Sequence, residues 1–307
     1  MPILHKIRND WDFDVETIPA KATNPITGEE TRTGGYVNMR TDTGEIVGPY
    51  VSKRYAVANN REIVGRGLDA LRGAGLNPDT AEFNAYGFNN GRSWRFEWAW
   101  KDETIKVPQV GDELGLRLSV SNSFDRSKKI AWALGMLRLV CSNGMTALNN
   151  AFHLANKHNG GLNLDRMSGA LGEALDNFQP EKVGKDFQNL AEVEIDQQQG
   201  LHILQNFVED VVGFSERSRS RVSEIWNAPT YEADSGRNLY NLYNATTQYL
   251  THDLNENRRE MAEDVSQGVL ELLVSASRNE TERNKLWTPR EQIAVTEKQE
   301  EVIQVTE

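Results

Sequence analysis

The chain has 307 residues, 38% of them hydrophobic and 26% charged. That is apolar enough to bury a core, and no run nears the roughly 18 to 20 apolar residues that a membrane helix needs. The net charge of −11 argues against coating duplex nucleic acid by bulk charge, and the single cysteine, Cys141, excludes an internal disulfide and any multi-cysteine metal centre.

The first segment, MPILHKIRNDWDFD, has no basic stretch followed by an apolar one, so no signal peptide is expected. With five scattered His, the chain reads as cytoplasmic, without cofactor or structural metal. The charge is uneven. Residues 1–160 carry 20 Lys+Arg against 18 Asp+Glu, and residues 161–307 carry 14 against 27. A local basic groove therefore fits the first part, and the acidic second part favours solubility.

Residues 1–50 form an N-terminal extension rich in turn formers. Two stretches, Gly35–Thr41 and Glu45–Val51, flank Asp42-Thr43-Gly44 and predict a hairpin. A helix is predicted over 59–75, with Asn59 or Asn60 as cap and Ile63, Val64, Leu68 and Leu71 on one face. The strongest β signal follows. Phe83–Phe88 alternates, Asn90-Gly91 marks a turn, and the return strand places Trp94, Phe96, Trp98 and Trp100 on one face. A third strand carries Leu114, Leu116, Leu118 and Val120, and a fourth covers Ile130–Val140. Residues 83–140 thus predict a four-stranded antiparallel sheet with one apolar face, inside an α+β core spanning 51–160.

From Asn143 the spacing of Met145, Leu148, Phe152 and Ala155 predicts a helix. A helical region follows over 161–287, with helices near 165–178, 186–213, 216–226, 236–254 and 257–278. Residues 288–307 have no sustained apolar period and read as a mobile acidic tail. The fold class is α+β: an antiparallel sheet in the N-terminal half and a mostly helical C-terminal half.

No nucleotide-binding, zinc-protease or nucleophile-elbow motif occurs. His153 and His158 are five apart, a spacing that does not place both on one helix face. Cys141 lies between a predicted strand and Ser142-Asn143-Gly144. A thiol at a helix start has a lowered pKa, but a small buried apolar residue is the better reading. An enzyme centred on Cys141 ranks last. The basic residues are more informative. Lys53 and Arg54 follow the first hairpin. Arg95 and Arg117 lie on the face opposite the Trp/Phe stripe, which Glu97 shares. Arg126, Lys128 and Lys129 sit in the loop SNSFDRSKK, and Arg138 lies near the end of the fourth strand. A basic groove beside aromatic residues suits single-stranded nucleic acid. Arg217, Arg219 and Arg221 are two apart on a predicted helix and so spread around it.

Three segments carry a family resemblance. Arg54–Ile63, RYAVANNREI, resembles the opening motif of the phage/plasmid-like proteins grouped as domain of unknown function 932. Ser119–Thr146 is similar to that family's central block, including Arg138-Leu139-Val140-Cys141-Ser142-Asn143. It departs from relatives in having Ser123-Phe124-Asp125 where they carry a His and a Gly. His158 falls where the family has a His, and Asn238–Leu254 resembles a C-terminal helix with Asn244, Thr247 and His252. The resemblance spans roughly residues 50 to 275 and implies an accessory protein of a mobile element, with a phage source. Its order of elements is similar to the core of the single-strand annealing recombinases, an analogy of fold alone. The leading expectation is a single-stranded DNA-binding, strand-annealing protein that forms homo-oligomers and needs no cofactor. The alternative is a non-enzymatic effector that binds a host protein.

Overall fold

The computed structural model describes residues 10–106, 113–138, 152–206, 215–254 and 262–287. The helix start expected at Asn143, Cys141 itself and the tail after residue 287 lie outside them. The fold is α+β with antiparallel sheets, and eight α-helices occur among the described residues. The chain divides into two compact units. One comprises Met1–Glu103, Gly115–Gly135 and Asn150–Phe178, and the other Thr104–Leu114, Met136–Asn149 and Gln179–Glu307.

In the first unit, β1 (Val15–Thr23) and β2 (Glu30–Arg40) form an antiparallel ribbon, with Val15 opposite Arg40 and Thr23 opposite Glu30. The hairpin expected around Asp42-Thr43-Gly44 forms with a short, interrupted return: Arg40 donates to Glu45, Val47 to Asn38, and Tyr36 and Val51 exchange two bonds. Gly44, at φ +74°, donates to Arg40, and the following segment meets β2 at isolated bridges, Met39 to Ile46 and Tyr36 to Val51. The main partner of β2 is β1, whose Pro19 and two-sided polarity hide it from a strand pattern.

Helix α1 (Asn60–Gly73) buries Ile63, Val64 and Leu71, as its spacing predicts. Asn59 is its cap residue in position only, since the Asn59 side chain accepts instead from the backbone N–H of Val15 at 2.9 Å. Strands β3 (Glu82–Phe88), β4 (Ser93–Lys106), β5 (Glu113–Ser123), β6 (Ile130–Arg138) and β7 (Phe152–Asn156) lie side by side in that order. The β3–β4 turn takes in Asn89 and Asn90 as well as Gly91, all three in the left-handed region. The Trp94, Phe96, Trp98 and Trp100 stripe is buried, and Trp11, Phe13 and Phe83 pack on it edge-on or tilted. Gly87 stands opposite Trp94 because a Cβ there would fall 3.0 Å from the indole ring.

Two expectations for the sheet are corrected. Phe152–Asn156 is a fifth strand, not helix: it pairs with β6, Ile130 opposite Asn156 and Leu134 opposite Phe152. A short apolar run fits either period, and here the open edge of β6 decides. In addition, β5 is buried on both faces, including Arg117 and Ser119, so its second face is not solvent. Helix α2 (Leu164–Asp176), capped by the Asn163 side chain, packs on α1, with Arg66 joining Glu62 and Asp165.

The second unit contains α3 (Pro180–Glu192), α4 (Gln197–Asn206), α5 (Glu216–Asn227), α6 (Leu239–Gln248), α7 (Ala262–Arg278) and α8 (Glu280–Trp287). The helix expected over 186–213 is broken at 193–196, where Ile195 donates to the Arg237 carbonyl in a strand-like bridge. All ten residues of α6 are buried, polar ones included. Asn244 donates to Asp234 at 3.0 Å, Gln248 to Thr230 at 2.6 Å, and the Tyr243 hydroxyl meets Ser266 at 2.8 Å. Phe187 packs edge-on against Tyr240, and Tyr243 lies beside it. Each buried polar side chain on α6 thus needs a partner at a fixed place, which sets the helix in one position.

Candidate nucleic-acid interface

The loop after β5 is held by its own side chains. The Asp125 carboxylate accepts from the Ser127 N–H at 2.9 Å and from its hydroxyl at 2.5 Å. Ser123 Oγ accepts from the Lys128 N–H and donates to the Lys128 carbonyl, both at 2.9 Å. Arg126 takes the left-handed conformation, φ +67°, which turns the chain between these two clasps. Short polar side chains that bond nearby backbone favour such turns, and this sequence supplies them at each step.

A second segment, residues 48–55, abuts this loop. Gly48 lies so close to Phe124 that a Cβ would stand 2.3 Å from its carbonyl oxygen. Asn38 donates to that carbonyl at 2.6 Å, and Phe124 N–H donates to Arg92 at 2.7 Å. The Tyr55 hydroxyl donates to the Ser123 carbonyl at 2.8 Å, and its ring stacks on His158 at 5.0 Å with the planes 6° apart. His158 Nδ1 donates to the Ala56 carbonyl at 3.0 Å. Asn122, one residue before the loop, donates to Ala58 at 3.0 Å and to Asn60 Oδ1 at 2.8 Å.

Burial pushes the His158 pKa below the usual histidine value, against smaller opposing effects of the Ala56 carbonyl and Asp125. It raises the Tyr55 phenol, and Asp125 raises it further. Both rings are therefore neutral near pH 7. They serve as packing between the two segments rather than as charges.

This arrangement sets the segment that carries Lys53 and Arg54 against the loop that carries Arg126, Lys128 and Lys129. Lys53, Arg54, Arg126 and Lys129 are exposed, as are Arg92 and Lys157 nearby in the chain's contacts. None of these six makes an ion pair among the described residues. Lys128 differs: its ammonium sits over the Phe88 ring, 4.3 Å from the centroid. Tyr50, in the same segment as Lys53, is half exposed.

Arg95 and Arg117 belong elsewhere. Glu97 Oε1 holds Arg95 Nε at 2.5 Å and an Arg117 terminal nitrogen at 2.6 Å, and Arg117 is only 1% exposed. The expectation that this face is open to a ligand is thus corrected: its two arginines neutralise a shared carboxylate inside the sheet layer. Tyr86, opposite Arg95 in the register, has its pKa pushed up to about 12 by burial and then by Glu97. Arg138 ends β6, and its side chain lies outside the described residues.

Sequence patterning found the basic loop but missed Lys157 and the roles of Tyr55, Asn60 and Asn122. The available signal was the segment Arg54–Ile63, which supplies Tyr55 and Asn60, taken together with His158. Among the described residues no cluster of three or more His, Cys, Asp or Glu is arranged to hold a metal ion, and no helix is long and apolar enough to cross a membrane.

No curated protein and no solved structure matches the chain. One family model does, that of a domain of unknown function (DUF932), over residues 49–286. Tyr55, Asn60, Asn122 and His158, which lock the two segments together, all fall inside that span, and by this match the chain belongs to the DUF932 family.

Proposed function

We propose that the protein binds single-stranded DNA, in the manner of a strand-annealing protein, along Lys53, Arg54, Arg126 and Lys129. The observation that supports this reading is that these four exposed cations have no ion-pair partner among the described residues, whereas other arginines of the unit, such as Arg40, Arg61 and Arg66, are paired. They come from two segments joined by the Tyr55–Ser123 hydrogen bond. A fixed set of unpaired cations suits a phosphate backbone. The net charge of −11 confines such binding to this patch.

The test is fluorescence anisotropy with a labelled single-stranded oligonucleotide over a range of salt. Three or four phosphate contacts give a slope of log affinity against log salt of about −2 to −3. Arg54→Glu with Lys129→Glu should abolish most binding without lowering the melting temperature. No salt-dependent binding at micromolar protein would overturn the proposal in favour of a protein-binding effector, for which a pull-down from host lysate is the direct assay.

A further inference from the structure

The β1–β2 ribbon reaches well past its anchorage. Its base is fixed by the Asn38–Phe124 and Asn59–Val15 hydrogen bonds, yet residues 21–34 are exposed on both faces. A two-stranded ribbon on its own is marginal in water. Four large hydrophobic side chains are exposed among the described residues, and three of them lie at the two ends of this ribbon. Ile26, 91% exposed, is at the tip. Ile46 and Tyr50 are at the base, Ile46 bridging to Met39 and the Tyr50 ring lying against Gly35, where a Cβ would come within 1.7 Å of it.

The charges follow a matching pattern. Lys21 and Glu30 pair with each other across the strands at 2.7 Å. Glu29, next to the tip, and Arg32, nearer the base, have no ion-pair partner among the described residues. The segment 21–34 therefore carries two cations and two anions and is neutral, unlike an element built for phosphate.

We infer that two copies of this chain pair their ribbons side by side and antiparallel about a two-fold axis. The Ile26 tip of one lies on the base of the other, against the partner's Tyr50 and the partner's Ile46. Arg32 of one faces the partner's Glu29. A two-fold axis makes every such contact twice, so apolar ends and complementary charges between them on one ribbon are self-complementary when it is reversed. The partner supplies the cover that residues 21–34 lack among the described residues.

Sedimentation velocity on the full chain tests this. The wild type should be a dimer at low micromolar concentration. Ile26→Asp should raise the dissociation constant at least tenfold while the melting temperature of the monomer is unchanged, because the side chain touches little of its own chain. Arg32→Glu should also weaken the dimer, and Arg32→Glu with Glu29→Arg should restore it. A wild type that stays monomeric to about 100 µM overturns the inference. So does a dimer indifferent to Ile26→Asp, or a charge reversal that the second substitution fails to restore.

Discussion

The hydroxyl of Tyr55 reaches the main-chain carbonyl of Ser123 at 2.8 Å, and through it the segment carrying Lys53 and Arg54 is tied to the loop carrying Arg126 and Lys129. The bond lies between a family motif and a loop some 68 positions later in the chain. Tyr55→Phe should keep the stack on His158 but leave the carbonyl without its donor. The expected cost is about 1 to 2 kcal/mol in chemical denaturation. Single-strand affinity should fall as well, since the two cation pairs lose their fixed spacing.

His158 sets a pH dependence. Its folded-state pKa lies below the unfolded value of about 6.5, because burial disfavours the charged ring. Protons then bind the unfolded chain more readily, so this contribution to stability is fully present above about pH 6.5 and is lost as pH falls through the folded-state pKa. Melting temperatures at pH 7.5 and 5.5 should differ more in the wild type than in His158→Phe, which keeps a ring on Tyr55 without a titrating group. Equal differences in the two proteins would show that His158 is not the source.

Glu97 holds two arginines. Glu97→Gln should take the Glu97 carboxylate away from the buried Arg117 guanidinium, at a cost of about 3 kcal/mol. Arg95→Gln should cost much less, because Arg95 is the more exposed of the two and Arg117 keeps Glu97. Neither change should alter the salt slope of DNA binding in protein that remains folded. A reduced slope in Arg95→Gln would return this face to the binding surface.

Asn244 is 1% exposed and donates to Asp234, itself 5% exposed. Asn244→Asp keeps the shape but replaces the donor with a second carboxylate. One of the two acids must then take up a proton or separate. The variant should be destabilised by roughly 2 kcal/mol or more at pH 7 and should recover part of that loss near pH 5. Thermal melts at the two pH values measure both effects.

Much of the first unit could be read from residue order alone. The Trp94–Trp100 alternation has only one period that buries four aromatic rings together, and the same holds for α1 with Ile63, Val64 and Leu71. What escaped was whatever depends on distant pairing. Val15–Thr23 becomes a strand only because Glu30–Arg40 lies beside it, and Phe152–Asn156 only because β6 offers an edge. Arg117 illustrates the limit for the candidate site. Alternation correctly puts it opposite Leu116 and Leu118, but whether that face meets water depends on what covers it. The basic loop was legible because its charges are adjacent in sequence. Tyr55, Asn122 and His158 meet only after folding.

The family match begins at residue 49, but the physical edge of the unit does not. Trp11 and Phe13 pack against Phe96 and Trp94, the Trp11 carbonyl accepts from Asn60, and Asn38 holds the Phe124 carbonyl under the basic loop. A gene cut at the matched boundary would strip the lid from an aromatic stripe and leave buried acceptors and donors open at once. The matched span is thus not a portable module in this protein. Any transplantation, fusion or library built on it has to start upstream of Trp11, whereas the outer part of the ribbon, within residues 21–34, can be shortened without cost to the fold of a single copy, though not to the pairing of two.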